Sequence, residues 1–182
     1  MTAELIVERI PDGHSWWRIA KRTWDDPLDP SYAQRQGRRW NPPASFPTLY
    51  LNEDIVTARL NLRAFIVDEP YEPEELREDN GPVLVECTLP RGQVVCDMHT
   101  PEGVRAAGMP VTYPLDGNGD VVGHEHCWAI GKRAKDQGLN GVRARSAKSR
   151  DGAGRELAWF PASVRSVARQ VATLAFPVWF WG

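Results

Sequence analysis

One segment constrains this chain more than any other: Gly37-Arg38-Arg39-Trp40-Asn41-Pro42-Pro43, which leads into Leu49-Tyr50-Leu51. Its glycine and prolines exclude helix and central strand, whereas the apolar residues that follow suit a short strand. A guanidinium can bind a pyrophosphate through two parallel hydrogen bonds, and a tyrosine ring can stack on a base or a pyridinium. The same residues also fit a plain turn with Trp40 in the core and both arginines solvated. We call residues 37–43 the arginine segment.

Length, charge and cysteine usage exclude several classes of protein. A chain of 182 residues fits one domain, and its formal net charge of -2 gives no general attraction for nucleic acid. Its three cysteines are odd in number and form no Cys-x-x-Cys pair, as expected in a reducing compartment. The first ten residues are too charged for a signal peptide, and no apolar run reaches the roughly 18 residues that a membrane span needs. We therefore expect a cytoplasmic protein with no membrane segment and no direct nucleic-acid partner.

The hydrophobic pattern predicts an α+β fold, because strands outnumber helices and their connections differ in length. Strands are predicted over residues 5–7, 16–20, 48–51, 83–89, 93–98, 141–146 and 157–160, and helices over residues 53–67 and 126–137. Residues 25–47 are predicted as a long loop because of their prolines. There is no Gly-x-Gly-x-x-Gly after a strand and no P-loop, so the common nucleotide-binding folds are not supported.

Two apolar patterns carry further expectations. Ile55, Ala58, Leu62 and Phe65 are predicted to form the inner stripe of the first long helix. In the tail that starts at Val164, the apolar residues follow near-helical spacing. The tail ends in Trp179-Phe180-Trp181, which we expect to pack on the domain, with a homodimer or partner interface as the alternative.

The order of short motifs along the chain resembles the RES domain, a family named for its arginine, glutamate and serine. The motifs are Trp17-Arg18-Ile19-Ala20, Asp26-Pro27-Leu28-Asp29, the arginine segment, Leu49-Tyr50-Leu51, Thr57-Ala58, Ala129-Ile130, Leu139-Asn140-Gly141-Val142, Ser146 and Trp159-Phe160. The resemblance covers about residues 15–161 of a single domain spanning 1–182, and leaves residues 162–182 as an aromatic tail.

The resemblance implies both a fold and an activity. The fold is ADP-ribosyltransferase-like, a mixed sheet with flanking helices. The activity is that of a toxin with NAD as its substrate, consumed by hydrolysis, phosphorolysis or ADP-ribosyl transfer. The implied partner is a helix-turn-helix antitoxin with a segment that covers the active site. No metal is implied.

The resemblance also assigns roles to individual residues. It implies that Arg39 binds the pyrophosphate with help from Arg18, that Tyr50 stacks on the nicotinamide or orients its ribose, and that Ser146 hydrogen-bonds the ligand. Arg38 is the weaker candidate, because neighbours on an extended segment point to opposite sides. Ser146 has no Gly-x-Ser-x-Gly elbow around it and is not expected to be a nucleophile.

The chain departs from the family pattern at the acidic position. The family has its glutamate three residues beyond the helix alanine, where this chain reads Ala58-Arg59-Leu60-Asn61. Asparagine can hydrogen-bond ribose hydroxyls, but it has no charge and cannot act as a base. Asp54 lies about 10 Å away along the helix, too far to substitute for the missing glutamate. Losing a preorganised electrostatic contact costs about 100-fold to 1000-fold in rate.

Three hypotheses follow from Asn61. The chain is a RES enzyme that uses another carboxylate or a changed mechanism. Alternatively, it binds NAD or a related nucleotide with little or no turnover. The third possibility is an enzyme repurposed for another nucleotide or an NAD-derived substrate.

Two polar clusters complete the sequence-level predictions. His124-Glu125-His126-Cys127 contains zinc-ligand chemistry, but the two histidines point to different faces of a helix and no second ligand pair completes a site. We therefore predict no zinc there. The basic residues within 132–135 and 143–150 form either a solvated face or a region that attracts an anionic ligand.

Overall fold

The computed structural model describes residues 4–149 and 151–182. The strands are β1 Val7–Arg9, β2 Trp16–Ala20, β3 Leu49–Asn52, β4 Val83–Thr88, β5 Val94–Met98, β6 Gly141–Arg145, β7 Arg155–Trp159 and β8 Arg169–Leu174. The helices are α1 Ser31–Gln36, α2 Ile55–Ile66, α3 Pro101–Ala106, α4 His124–Asp136 and α5 Phe176–Trp181, with a short 3-10 helix at Pro73–Glu75. No helix within these residues is long and apolar enough to cross a bilayer.

The strands form one mixed sheet in the order β1-β5-β6-β7-β3-β2-β4-β8. Strands β5 and β6 are parallel, and the other neighbouring pairs are antiparallel. Helices pack beside this sheet, so the prediction of an α+β fold with a mixed sheet and flanking helices is confirmed.

The sheet opens between β2 and β3. Within the described residues these strands share a single registered pair, Trp17 with Asn52, whereas β2 pairs along its whole length with β4. Because backbone groups that leave a ladder need other partners, such a split is a natural place for polar side chains and ligands. The split places Arg18 of β2 and Tyr50 of β3 on one cavity.

Among the described residues, three apolar clusters hold the elements together. On one face of the sheet, α3 and α4 cover a cluster that includes Met98, Ile130 and Phe160. On the same face, α2 and α5 cover a second cluster around Leu84 and Phe176. The third cluster lies on the opposite face and is formed by the other alternation of the strands, with Leu49, Trp16 and Trp159 among its members. The side-chain period of two in each strand accounts for this division.

Residues 25–47 are not the continuous loop that their prolines predicted. Helix α1 occupies Ser31–Gln36, with Pro30 at its N-cap and Gly37 at its C-cap. The prolines flank the six helical residues and do not interrupt them, so a single short helix fits between them.

The helical spacing in the tail is also misleading. Residues Arg169–Leu174 form β8, an edge strand paired with β4. Val171 is 55% exposed there, so the valine spacing does not mark a buried helical face. The helix starts only at α5, where Pro177 lies in the first turn.

Two predictions about helix packing have different outcomes. Phe65 does not belong to the inner stripe of α2, because it is 57% exposed while Ile66 is buried in its place. The expected packing of the aromatic tail is confirmed for Trp179 and Phe180, which are buried in the cluster with α2. Trp181 is half exposed.

The arginine segment and α4 approach each other closely at Gly131. A Cβ atom on Gly131 would lie 1.8 Å from the Trp40 carbonyl oxygen, so only glycine permits this contact. The side chain of Trp40 is itself buried beside α4, which fixes the arginine segment against the helix.

We predict that Gly131→Ala lowers the free energy of unfolding by about 1–3 kcal/mol, because the added methyl forces α4 away from the arginine segment. Urea unfolding measures the change. Gly117→Ala is the matched control, since a Cβ there meets no atom within 4 Å and the change should stay within about 0.5 kcal/mol. Equal effects of the two substitutions would contradict the packing argument.

Candidate functional site

A cavity of about 300 Å³ lies at the opening between β2 and β3. Its wall combines cations, aromatic rings, amides and one carboxylate. The lining residues are Arg18, Ile19, Trp24, Tyr32, Ala33, Arg38, Tyr50, Leu51, Asn52, Asn61 and Glu156. A wider depression of about 740 Å³ continues past Arg18, Trp24, Tyr32 and Arg38 towards Asp25 and Asp26.

Arg18 presents a cation that the protein does not fully satisfy. Its Nε atom is buried, and it has no hydrogen-bond partner in the described part of the chain. Its guanidinium lies 5.6 Å from the centre of the Trp24 ring. Desolvation lowers the pKa of Arg18 to about 10, although nearby acidic groups oppose the shift. The group therefore stays charged at neutral pH and is suited to bind an anion in the cavity.

Tyr50 connects the cavity wall to the arginine segment. Its hydroxyl donates to Asn41 Oδ1 and accepts the Trp40 N–H, each at 2.8 Å. Burial raises the pKa of Tyr50 well above its ordinary value, so the hydroxyl remains protonated. Its ring is left to line the cavity, which is compatible with stacking or with orienting a ligand.

The two neighbouring arginines face different ways. Arg39 donates from Nη1 to the Val122 carbonyl at 2.8 Å, towards the loop that leads into α4. Arg38 is exposed on the cavity wall, 5.3 Å from the Tyr32 ring centre. Neighbouring side chains diverge as expected: Arg38 lines the cavity, whereas Arg39 lies close enough to Glu156 for its charge to act on the pKa of that carboxyl. The pyrophosphate role of Arg39 stays a prediction.

Asn61 belongs to a polar network that includes a carboxylate. Its amide nitrogen donates to Glu156 Oε1, and to Asn52 Oδ1 at 2.6 Å. Ser146 Oγ lies 2.8 Å from Asn61 Oδ1 and 3.0 Å from Glu156 Oε1, so its one proton can serve either acceptor. The network thus brings together two predicted site residues, Asn61 and Ser146, around Glu156, a carboxylate that was not among the predicted site residues.

Ser146 is placed behind this carboxylate. It is fully buried and also accepts the Lys148 backbone N–H at 3.2 Å. Its hydroxyl therefore contacts Asn61 and Glu156 from the side away from the cavity. Asn61 and Glu156 themselves line the cavity. Direct contact of Ser146 with a ligand stays a prediction.

Glu156 is an acid in a largely desolvated setting. It lies on the helix-covered face of the sheet, in register with Ala144 of β6 and Asn52 of β3. Burial raises the pKa of the Glu156 carboxyl, while the hydrogen bonds from Ser146 and Asn61 and the charges of Arg39 and Lys148 act in the opposite direction. A perturbed acid in a cleft is a common mark of a functional site.

The sequence contained a signal for Glu156 that the strand boundaries hid. Strand β7 begins at Arg155, two residues before the predicted start at Leu157. With the correct start, Glu156 and Ala158 fall on the same face, and a lone acid among small and apolar residues becomes visible. Asn52 was missed because β3 also runs one residue further than predicted.

A cluster with metal-ligand chemistry lies elsewhere, at Glu8, Asp97 and His99. These residues place one ligand atom each within 4.8 Å of one another. Glu8 already contacts His99 and Arg143, each at 2.9 Å, while Asp97 accepts the backbone N–H groups of His99 and Thr100. These contacts account for the cluster as a link between β1, β5 and the start of α3.

The side chains of the His124–Cys127 segment do not point to a common position. His124 and His126 are exposed in the first turn of α4, whereas Cys127 is fully buried against the core. This arrangement does not offer three ligands to one ion.

The chain belongs to the RES domain family, whose model matches residues 15–179. The match extends beyond the expected limit at residue 161 and includes most of the aromatic tail. Among solved structures, the chain is similar to one described as the crystal structure of the M. tuberculosis MbcT-MbcA toxin-antitoxin complex, with a TM-score of 0.72 and 20% identity. The likeness covers 95% of this chain and 89% of that chain, and it shows a shared fold. Comparison with curated protein sequences gives no match.

The raised pKa of Glu156 predicts a pH-dependent stability. A carboxyl with a higher pKa in the folded state contributes stability that is complete below its unfolded value and is lost as the pH rises through the folded value. Between about pH 4.3 and the folded pKa, Glu156→Gln should therefore become progressively more stable than the native chain, by at most about 1.4 kcal/mol per pH unit.

The measurement is urea unfolding of both proteins from about pH 4 to pH 8. This range begins just below the ordinary glutamate pKa and extends well above it. The exposed Glu125 supplies a control, since the difference between Glu125→Gln and the native chain should not follow this trend. A difference that shrinks with rising pH for Glu156→Gln would show that Glu156 is stabilised in its charged form.

Proposed function

We propose that this chain is a toxin that cleaves the nicotinamide–ribose bond of NAD. The observation that carries the proposal is the pairing, in one cavity, of an incompletely satisfied arginine with a carboxylate. Arg18 and Glu156 line that cavity together with the Tyr50 ring, in a chain of the RES family. A cation for phosphate, a ring for nicotinamide and a negative charge for ribose are the parts that this reaction needs.

The reaction passes through an oxocarbenium-like ribose, as in other glycosidic cleavages. Arg18 holds the pyrophosphate, and Arg38 at the cavity rim adds a second cation. The ring of Tyr50 positions the nicotinamide that leaves. The acceptor is water, phosphate or a protein side chain, and each takes the place of nicotinamide on the ribose.

Asn61 favours a second candidate function, in which the chain binds NAD or a related nucleotide and turns it over slowly. The family position for the glutamate carries an amide here, and a neutral group stabilises a cationic ribose less well than a carboxylate. An NAD-derived or other nucleotide substrate is the corresponding third candidate. Both candidates use the same cavity as the first. They differ from it in predicting little or no release of nicotinamide from NAD.

We further propose a protein partner for this cavity. A RES-family toxin whose activity consumes a cytoplasmic metabolite requires neutralisation, and the similar M. tuberculosis structure is a toxin-antitoxin complex. The cavity opens to the surface beside the exposed Tyr32 and Arg38, where a segment of a helix-turn-helix antitoxin can cover it. Co-expression of a neighbouring reading frame of that type should restore growth of cells that express this chain.

The direct test follows free nicotinamide after incubation of the purified protein with NAD, with and without phosphate. We expect release of nicotinamide by the native chain. Arg18→Gln should raise KM for NAD by about 10-fold to 100-fold, because a charge-assisted hydrogen bond contributes about 1.5–3 kcal/mol. Arg169→Gln, at an exposed position of β8, is the matched control and should keep the native KM.

The outcomes separate the candidates. No nicotinamide at high enzyme concentration, together with a thermal shift on adding NAD or ADP-ribose, would replace the cleavage proposal by the binding proposal. Neither release nor a shift would exclude NAD and direct the search to other nucleotides.

A further inference from the structure

We propose that Glu156 is the catalytic carboxylate of this chain and supplies from β7 the charge that Asn61 lacks on α2. This inference rests on the proposed NAD cleavage and names the residue that makes it possible. It follows from the position of Glu156, from the pattern of its hydrogen bonds and from the chemistry of residue 61.

The position of Glu156 is adjacent to that of the absent family glutamate. The Asn61 amide donates to Glu156 Oε1, so the carboxylate lies one hydrogen bond from the end of the Asn61 side chain. Both residues line the same cavity. Asp54, at the N-cap of α2, uses its carboxylate to accept the Thr57 N–H and is about two helical turns away.

The hydrogen bonds leave part of the carboxylate available. In the described part of the chain, the side-chain donors Asn61 and Ser146 both approach Oε1 of Glu156. Oε2 receives neither of them, so one oxygen is oriented by the protein and the other can face a ligand. Preorganisation of this kind is what makes a charge effective in catalysis.

Asn61 and Glu156 fit each other as a pair. A glutamate at position 61 would place two carboxylates in contact, and like charges at that distance raise the pKa of one of them. The asparagine amide instead donates to the carboxylate and is oriented by Ser146 and Asn52. The neutral residue at 61 is therefore what a charged residue at 156 requires, and Asn61 acts as a positioning residue.

The step that Glu156 assists is a substitution at ribose C1′ that needs no oxidant or reductant. The bond between the nicotinamide nitrogen and ribose C1′ breaks, and its electron pair stays on nicotinamide, which leaves as a neutral molecule. A water oxygen forms the new bond to C1′ and releases one proton to the solvent. Throughout, the negative Glu156 carboxylate stabilises the positive charge that develops on the ribose.

The test compares Glu156→Gln, Asn61→Glu and the double variant with the native chain, with nicotinamide release and NAD affinity both measured. Glu156→Gln should lower kcat by about 100-fold to 1000-fold, because it removes a transition-state charge while keeping size and shape. The Kd for NAD should change little. Asn61→Glu alone should lower kcat, since the two carboxylates then compete for one proton.

The double variant distinguishes charge from structure. It exchanges the two functions, with an amide donor at position 156 and a carboxylate acceptor at position 61. The charge then returns to the cavity from α2, and kcat should exceed that of Glu156→Gln by at least about tenfold. The control Glu125→Gln, at an exposed position in the first turn of α4, should match the native rate. Urea unfolding of each variant verifies that it is folded.

The experiment distinguishes failure of the proposed NAD cleavage from failure of the proposed role of Glu156. If the native chain releases no nicotinamide, the proposed function fails and this inference with it. If the native chain is active and folded Glu156→Gln keeps its rate, the inference fails alone. A gain of activity in Asn61→Glu without a change at position 156 would likewise overturn it, because it would show that Glu156 does not supply the catalytic charge in the native cavity.

Discussion

The hydrogen bonds to one partly buried carboxylate, Glu156, connect several elements at the centre of this protein. Glu156 lies on the helix-covered face of the sheet, where two apolar clusters flank it, and a charge removed from water there needs donors. Asn61 and Ser146 supply them from α2 and from the end of β6. Asn52 extends the network to the Trp17 carbonyl at 3.1 Å, at the registered pair that joins β2 and β3. The same set of polar contacts therefore joins α2 to the sheet at the point where β2 and β3 separate.

The opening between β2 and β3 gives the cavity two ends of opposite charge. Arg18 lines it from β2, on the face of the sheet that carries Trp16, and Glu156 lines it from β7, on the helix-covered face beside Asn52. The wall between them is positioned by Tyr50, whose hydroxyl holds the arginine segment through Trp40 and Asn41. Gly37, at a φ of 70° and too close to Pro43 for a side chain, allows the segment to turn there. Backbone geometry far from the carboxylate thus contributes to placing Arg38 on the cavity wall.

The sequence predicted the fold class and most strands, because alternation and turn residues are local signals. It failed where the signal was not local. Helix α1 was hidden by flanking prolines, and β8 imitated helical spacing while pairing at an exposed sheet edge. Arg18, Tyr50 and Asn61 could be selected from motif order. The side of the chain on which Arg38 and Arg39 lie could not, since it depends on the Val122 carbonyl 83 positions away, and Glu156 required knowledge of the register with Asn52.

The energetics of Glu156 agree with the catalytic role that we propose for it. Its partner in β6 is Ala144 and the next residue on its own face is Ala158, so its neighbours along the sheet are small, buried and apolar. Replacing buried ionic groups by packed apolar ones is often neutral or stabilising, and burial already raises the pKa of this carboxyl. Stability alone therefore does not explain an acid at this position. The negative charge that we propose for catalysis accounts for it, and also for the amide at residue 61, one hydrogen bond away, which donates to the carboxylate.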